Sequence, residues 1–361
     1  MKNAGSNPLS RLKTSRIIFP ILLGLGFVVY KFIKEFDSEA FSLIEFTWES
    51  VFYLFLAVIL MGIRDLGFIT RLRILTNKKL SWREAFRVNM LWEFSSTIFP
   101  PFIGGTGVAL VFLNKAGLSV GKSSAVVMAV SFLDELFFIL SLPILFAIFG
   151  LTDLFTLGLY NNHVEIPHFV KEFLYFAIAG YTIKFLFCSF MGYGLFINPK
   201  GLKKLIVLIF RLPILRRWKY GAHKAGNDII KSSKELKKQP FSFWLKAFGA
   251  SSIGWTARFW VANALLLAFF IVPHHLLIFA RQIVMWVMML VIPTPGGSGF
   301  SEFAFEKFLG DFIPIEYQYI PVVAISLALL WRLISYYPYM IIGTFIFPKW
   351  LKDKFKKKNE E

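Results

Sequence analysis

Runs of about twenty apolar residues, long enough as helices to cross a hydrocarbon layer of roughly 30 Å, recur along almost all of this 361-residue chain. They fall at about 16–35, 48–68, 123–149, 170–197, 241–270 and 317–347. With 56% hydrophobic residues and a mean hydropathy of +0.61, the apolar excess must face something other than water. The fold class expected is an all-α polytopic membrane protein, a single transmembrane domain over 1–361 with no room for a soluble catalytic domain. Lys2, Arg11, Lys13 and Arg16 precede the first run as in a signal peptide. Lys31, Lys34 and Glu35 follow it without a small-x-small cleavage pattern, so an uncleaved span is expected.

Two further stretches, 82–114 and 274–310, are apolar but broken. The first contains Pro100-Pro101-Phe102-Ile103-Gly104-Gly105-Thr106-Gly107 and the second Pro293-Thr294-Pro295-Gly296-Gly297-Ser298-Gly299. Proline lacks a backbone donor and glycine is a poor helix former, so neither stretch continues as one helix. Charge decides how they sit. Segment 198–240 carries twelve Lys/Arg against two acids, and both termini are basic, which places all three on the cytoplasmic side. Segment 36–49 holds Asp37, Glu39, Glu45 and Glu49 without a Lys or Arg, and 150–169 and 310–317 are acidic or neutral, which places them outside.

Six full spans satisfy that pattern only if both broken stretches are re-entrant hairpins. They then occupy matching places in two half-repeats of opposite orientation, about 48–149 and 241–347, with the basic segment 198–240 between. Paired broken segments of this kind point to a transport site at mid-membrane. Non-helical backbone is tolerated there only where protein or a water-filled cavity satisfies it. Thr106 and Ser298 stand where an N-cap would open each second half-helix. Such a helix start offers free N–H groups and partial positive charge to an anion.

Ionisable residues inside spans cost about 2.5–3.5 kcal/mol each on insertion scales, so each requires a reason. Asp134 and Glu135 lie mid-span, and Arg332 lies at the equivalent place in the second half. Arg258 falls within 241–270, Arg281 in the second hairpin, Glu302 just after its tip, and Glu93 in the first hairpin. The arginines suit an anionic headgroup, because guanidinium presents a fork of donors to phosphate. The acids either carry protons or pair with the arginines. Glu302 could equally stabilise the dipole of the helix it opens. Lys184 is the weakest candidate, since a long side chain can snorkel.

Other signals carry no chemistry. Ala116-Gly117-Leu118-Ser119-Val120-Gly121-Lys122-Ser123 matches a relaxed nucleotide-loop pattern but lacks the preceding strand and the acidic partner. His274 and His275 are adjacent and would diverge by about 100° on a helix, His163, His168 and His223 are scattered, and Cys188 is alone. No metal and no cofactor are expected. Trp48, Trp82, Trp244, Tyr336 and Trp350 fit interfacial anchoring. The basic segment interleaves Leu205–Phe210 with Arg211, Arg216, Arg217 and Lys219, which fits an anionic leaflet better than nucleic acid.

Pro101–Gly107 followed by Lys115-Ala116-Gly117-Leu118-Ser119, Pro295-Gly296-Gly297-Ser298-Gly299 with Glu302, and Arg332 together resemble the flippase-like transmembrane domain of lysylphosphatidylglycerol synthase, the membrane half of the multiple peptide resistance factor. The resemblance covers essentially the whole chain. It differs at Asp134-Glu135, where that family often has Glu-Arg. It implies a protein that moves a lipid between leaflets. The bifunctional relatives append a soluble aminoacyl-transfer domain, and this chain ends at Glu361, so lysyl-lipid synthesis is not expected; the leading reading is of a protein that is not an enzyme.

The resulting expectation is a multi-pass inner-membrane protein with both termini cytoplasmic, alone or as a homo-oligomer. It would translocate a lipid with an anionic phosphate-containing headgroup through Gly104, Gly105, Thr106, Gly107, Asp134, Glu135, Arg258, Arg281, Pro295, Gly296, Gly297, Ser298, Gly299, Glu302 and Arg332. Two alternatives remain open: an intramembrane transferase using Glu302 or Asp134 as base on a lipid-linked substrate, and a non-transporting scaffold acting through 198–240.

Overall fold

The computed structural model describes residues 33, 45–98, 105–155, 168–209, 219–289, 300–314 and 320–356, and these are overwhelmingly α-helical. The chain is an all-α polytopic membrane protein. The expected first span, 16–35, lies outside the described residues apart from Ile33.

Helix α1, Trp48–Leu75, starts at a capping box in which Ser50 N–H donates to Thr47 Oγ1 (3.3 Å) and Thr47 N–H to Ser50 Oγ (3.1 Å). It ends in a turn through Asn77 and Lys78, both with positive φ. Ser81 and Glu84 cap α2, Trp82–Ile98, in the same reciprocal way. Helix α3, Gly105–Lys115, packs back on α2. It stops where Leu118 N–H donates to Leu113 carbonyl (3.3 Å) around Gly117, at φ +104°. Ser119 Oγ then accepts from Lys122 N–H (3.2 Å) to open α4, Val120–Phe155. The nucleotide-loop-like string is thus a helix stop followed by a helix start.

Helix α4 holds Pro143 and breaks at Gly150 (φ 69°). Helix α5, His168–Gly192, continues as a π-turn over Tyr193–Ile197. Two amphipathic helices follow, α6, Pro199–Ile209, and α7, Lys219–Lys237. They pack on each other, and α7 lies against α4 so closely that a Cβ on Gly121 would sit 1.9 Å from Asp228 Cβ. Helix α8 is Phe241–Leu267, α9 His275–Met289, and α10 Phe300–Leu309, which runs into a 3₁₀ turn at Gly310–Phe312.

The expected last span, 317–347, is two helices, α11 (Ile320–Ser335) and α12 (Tyr337–Lys356). Pro338 accounts for the break: it has no N–H to continue the ladder to the carbonyl four residues before it, and it fits only the first turn of a new helix. Taken together as 322–348, with 48–75, 120–155 and 174–197, this segment is one of four stretches among the described residues long and apolar enough to cross a membrane. Helix α8 has the length but is interrupted by Ser251, Ser252, Thr256, Arg258 and Asn263. It sits at the centre of the bundle, packed against α1, α4, α9 and α11.

The bundle turns apolar faces outward and gathers charge inside. Phe52, Phe55, Val58 and Leu66 of α1 and Phe176, Ile178, Phe185 and Leu186 of α5 are exposed, whereas Arg64, Arg71 and Lys184 on the same helices are buried. That arrangement suits lipid outside and a polar interior.

Candidate functional site

Helices α1 and α8 run antiparallel, since Phe46 before α1 meets Phe269 after α8 with ring centroids 5.8 Å apart. They cross at Gly67 and Gly254. A Cβ on Gly67 would lie 2.7 Å from Ala250 carbonyl oxygen, and one on Gly254 would lie 2.4 Å from the Phe68 ring and 3.2 Å from Arg64 carbonyl oxygen. Small residues let the backbones touch. The contact segments read alike: Gly67-Phe68-Ile69-Thr70-Arg71 on α1 and Gly254-Trp255-Thr256-Ala257-Arg258 on α8. Each arginine follows its glycine by about one turn. In an antiparallel pair the two arginines therefore lie on opposite sides of the crossing.

Around this crossing is a cavity of about 600 Å³. Helix α1 contributes Arg64 and Arg71, α2 contributes Asn89, Glu93, Ser96 and Thr97, and α4 contributes Ser131, Asp134 and Glu135. Lys184 enters from α5, Arg258 from α8, and Arg332, Ser335 and Tyr336 from the end of α11 and the break after it. Met128, Ile183, Phe187, Met191 and Met289 form an apolar side. Ile183 and Phe187 are 44% and 40% exposed on the outer surface of α5 while also lining the cavity, so this side reaches the exterior of the described bundle.

Most of the charges form pairs. Arg64 reaches Asp65 (2.8 Å) and Glu93 (2.6 Å), while Asp65 also accepts from Tyr339 Oη (2.9 Å) and Asn89 Nδ2 (3.4 Å). Arg71 donates to Asp134 and to Ser251 Oγ (3.1 Å), and Trp255 Nε1 donates to the same Asp134 oxygen (2.7 Å). Lys184 donates to Glu135 (2.8 Å). Each cation also rests on an aromatic ring: Arg64 on Phe68 and Tyr339, Arg71 on Phe68, Lys184 on Phe138, Arg258 on Trp286 at 4.5 Å, and Arg332 on Tyr336 at 5.0 Å.

Arg258 differs from the paired cations. It makes no hydrogen bond or ion pair among the described residues; its Nε is buried without a partner there, as are those of Arg64 and Arg71. Arg64, Asp65 and Glu93 lie within electrostatic reach.

Asp134, Glu135, Arg258 and Arg332 thus share one cavity with Gly105, which lies so close to α2 that a Cβ would meet Ser96 Oγ at 2.5 Å. Helix α3 begins at Gly105, so Thr106 lies inside its first turn rather than at the N-cap position expected of it, and Gly107 is exposed. Arg281 stands apart from the cavity. It donates to Asp311 (2.8 Å), Asp153 carbonyl (2.9 Å) and Phe308 carbonyl (3.2 Å), tying α9 to the ends of α4 and α10. Gly104 and the tip residues Pro295, Gly296, Gly297, Ser298 and Gly299 lie outside the described residues, as does the side chain of Glu302, the third residue of α10.

Sequence reasoning missed Arg64, Asp65 and Arg71. The signal was present in Arg64-Asp65 inside an apolar run, and Arg71 was lost by ending that run at residue 68. Among the described residues no three His, Cys, Asp or Glu side chains come together as a metal site would require.

Residues 17–343 match the family described as lysylphosphatidylglycerol synthase TM region. The chain belongs to that family. It is also similar to a UPF0104 membrane protein of Archaeoglobus fulgidus, 24% identical over 286 residues that cover 76% of this chain and 79% of the relative. No solved structure matches. Family membership and the apolar helices together make the chain a multi-pass membrane protein.

Proposed function

We propose that this protein moves a lipid with an anionic, phosphate-containing headgroup between the leaflets of the cytoplasmic membrane. The observation that carries the reading is the charged cavity itself. Cations and acids line a space inside helices whose outer faces are apolar, and the space reaches the exterior beside Ile183 and Phe187. A headgroup would occupy the charged wall while acyl chains leave along the apolar side, so the lipid need not shed its tails to bind.

In this reading the pairs α2–α3 and α9–α10 are re-entrant hairpins of an inverted repeat, with both termini cytoplasmic. The shared Gly-aromatic-x-x-Arg segments at the α1–α8 crossing support the repeat. Alternating closure of the two halves would present the headgroup first to one side and then to the other.

The test is liposome reconstitution with a fluorescent anionic lipid in both leaflets, followed by dithionite bleaching from outside. Wild type should expose the protected inner pool, and Arg332→Ala and Gly105→Leu should suppress this in intact vesicles. If wild type behaves like empty liposomes across anionic headgroup classes, the reading is wrong. Turnover of a lipid substrate in detergent, without two compartments, would move the protein to the transferases.

A further inference from the structure

The cavity takes its lining from one half of each long helix. Among the described residues, α1 contributes nothing before Arg64, α4 nothing after Phe138, α5 nothing before Ile183, α8 nothing after Arg258, α9 nothing before Trp286 and α11 nothing before Trp331. Toward the end where Phe46 meets Phe269, an apolar core that includes Met61, Leu142, Leu265, Ile278 and Leu327 closes the space. In the transport reading this is the outer end, and a headgroup leaves there only if the core parts.

A charged knot fastens the same end. Arg281, buried on α9, donates to Asp311 in the 3₁₀ turn (2.8 Å), to the Phe308 carbonyl of α10 (3.2 Å) and to the Asp153 carbonyl near the end of α4 (2.9 Å). Its guanidinium also lies 5.0 Å from the Phe312 ring. Each segment held in this way adjoins a break in regular helix. The last turn of α4 follows Gly150, whose φ of 69° and ψ of 178° are open to little but glycine. Asp311 follows Gly310, where α10 gives way to the 3₁₀ turn. Helix α9 starts beside His274, a non-glycine residue at φ 35°. Breaks of this kind let short segments turn as units. Leu154, Phe308 and Ile313, on the segments so joined, belong to the sealing core, so moving those segments opens it.

We propose that Arg281 is the latch of an outer gate: its bonds hold α9, the last turn of α4 and the turn after α10 closed over the cavity, and the outward-open state forms when they release. This rests on the transport reading and adds to it the contacts that shut one side. A buried arginine is stable only while its partners are in place. On opening, water takes over the bonds to guanidinium and carboxylate, whereas parted apolar side chains gain nothing from water. An ion pair is therefore a fastener that both the shut and the open state tolerate.

The first experiment measures the distance between nitroxides at Leu151 and Pro314, both exposed, on the full-length protein in lipid nanodiscs in a Cys188→Ser background. With Arg281 intact one distance should dominate. Arg281→Met should enlarge a longer-distance population, and Arg281→Lys, which keeps the charge but not the fork of donors, should fall between. An unchanged distribution in Arg281→Met overturns the latch.

The second experiment closes the gate reversibly and so separates gating from misfolding. Asp153 serves Arg281 through its backbone carbonyl, so its side chain can be replaced. Asp153→Cys with Asp311→Cys, joined by a flexible photocleavable bis-maleimide, should stop the exchange of a fluorescent anionic lipid in reconstituted vesicles, and illumination should restore it. Exchange that continues through the cross-link overturns the latch and leaves lipid translocation standing. A longer distance in Arg281→Met, in a protein whose wild type moves no lipid, keeps the gate and removes the lipid reading. An unchanged distance together with no exchange by wild type overturns both.

Discussion

The Glu135–Lys184 pair joins α4 to α5 across the cavity wall, and its contribution can be worked out before it is measured. The charged atoms are 2.8 Å apart. At an effective dielectric of about 20 their attraction is about 6 kcal/mol. Glu135 keeps 15% of its side-chain exposure toward the cavity and Lys184 keeps 5%, so water reduces the usable part, and about 3 kcal/mol is the expected coupling. Lys184 also stacks on Phe138 at 4.3 Å, an interaction that survives removal of Glu135 but not removal of Lys184.

A double-mutant cycle of Glu135→Gln, Lys184→Met and both together, read by reversible unfolding in mixed micelles, isolates the pair. Each single variant should lose about 3–5 kcal/mol, because each strands one charge. The double variant should recover much of the loss. A coupling below about 0.5 kcal/mol would show that the two side chains are solvated separately and that the enclosed wall described above is wrong. Unchanged lipid exchange by a well-folded double variant would make the pair a fastener rather than part of the path.

Three further outcomes follow from specific contacts. Gly67→Leu must push α1 from α8 and should cost at least about 1–3 kcal/mol, whereas Gly62→Ala, with open space around its Cβ, should be neutral or stabilising in the same unfolding assay. Tyr339→Phe should cost about 1 kcal/mol by removing one donor to Asp65, and Asp65→Ala more, since Arg64 then keeps only Glu93; equal losses would contradict the network. Leu205 and Leu208 are exposed beside Lys200 and Lys204 on α6. Nitroxides at positions 205 and 208 in a Cys188→Ser background should report headgroup-depth burial in anionic bilayers, and full water accessibility there would refute a membrane-facing α6.

Much of the architecture is legible in the residues because its two strongest signals are local. Apolar length locates helices, including α2 and α9 ahead of the two Pro/Gly runs, and those runs themselves lie outside the described residues apart from Gly105–Gly107. The division of the last span is equally readable from Pro338, whose missing N–H interrupts the helical ladder despite the apolarity around it. Placement of charge was legible only in part. Insertion cost flags Asp134, Glu135, Arg258 and Arg332, and all four line the cavity, but it flags Arg281 as strongly.

Nothing local tells Arg281 from Arg258. Arg281 finds Asp311 in the turn after α10, thirty residues along the chain, whereas Arg258 rests on Trp286 with Asp65 and Glu93 within electrostatic reach but not paired to it. Partner choice is a long-range property, set by how helices rotate against one another. The pairing of Arg71 with Asp134, 63 residues apart, was invisible for the same reason.

At the glycine crossing, α1 meets α8 backbone to backbone at Gly67, and the Phe68 ring closes over Gly254 and against Trp255. Translation at such a joint would drive side chains into carbonyl groups, so a change of crossing angle is the easier motion. Arg71 and Arg258 each sit four residues, about 6 Å of helix rise, from the fulcrum and on opposite sides of it. Any scissoring of the two helices therefore carries the two guanidinium groups in opposite directions. Arg71 is tied to Asp134 of α4 and Arg258 rests on Trp286 of α9, so the same motion works against a different neighbouring helix at each end.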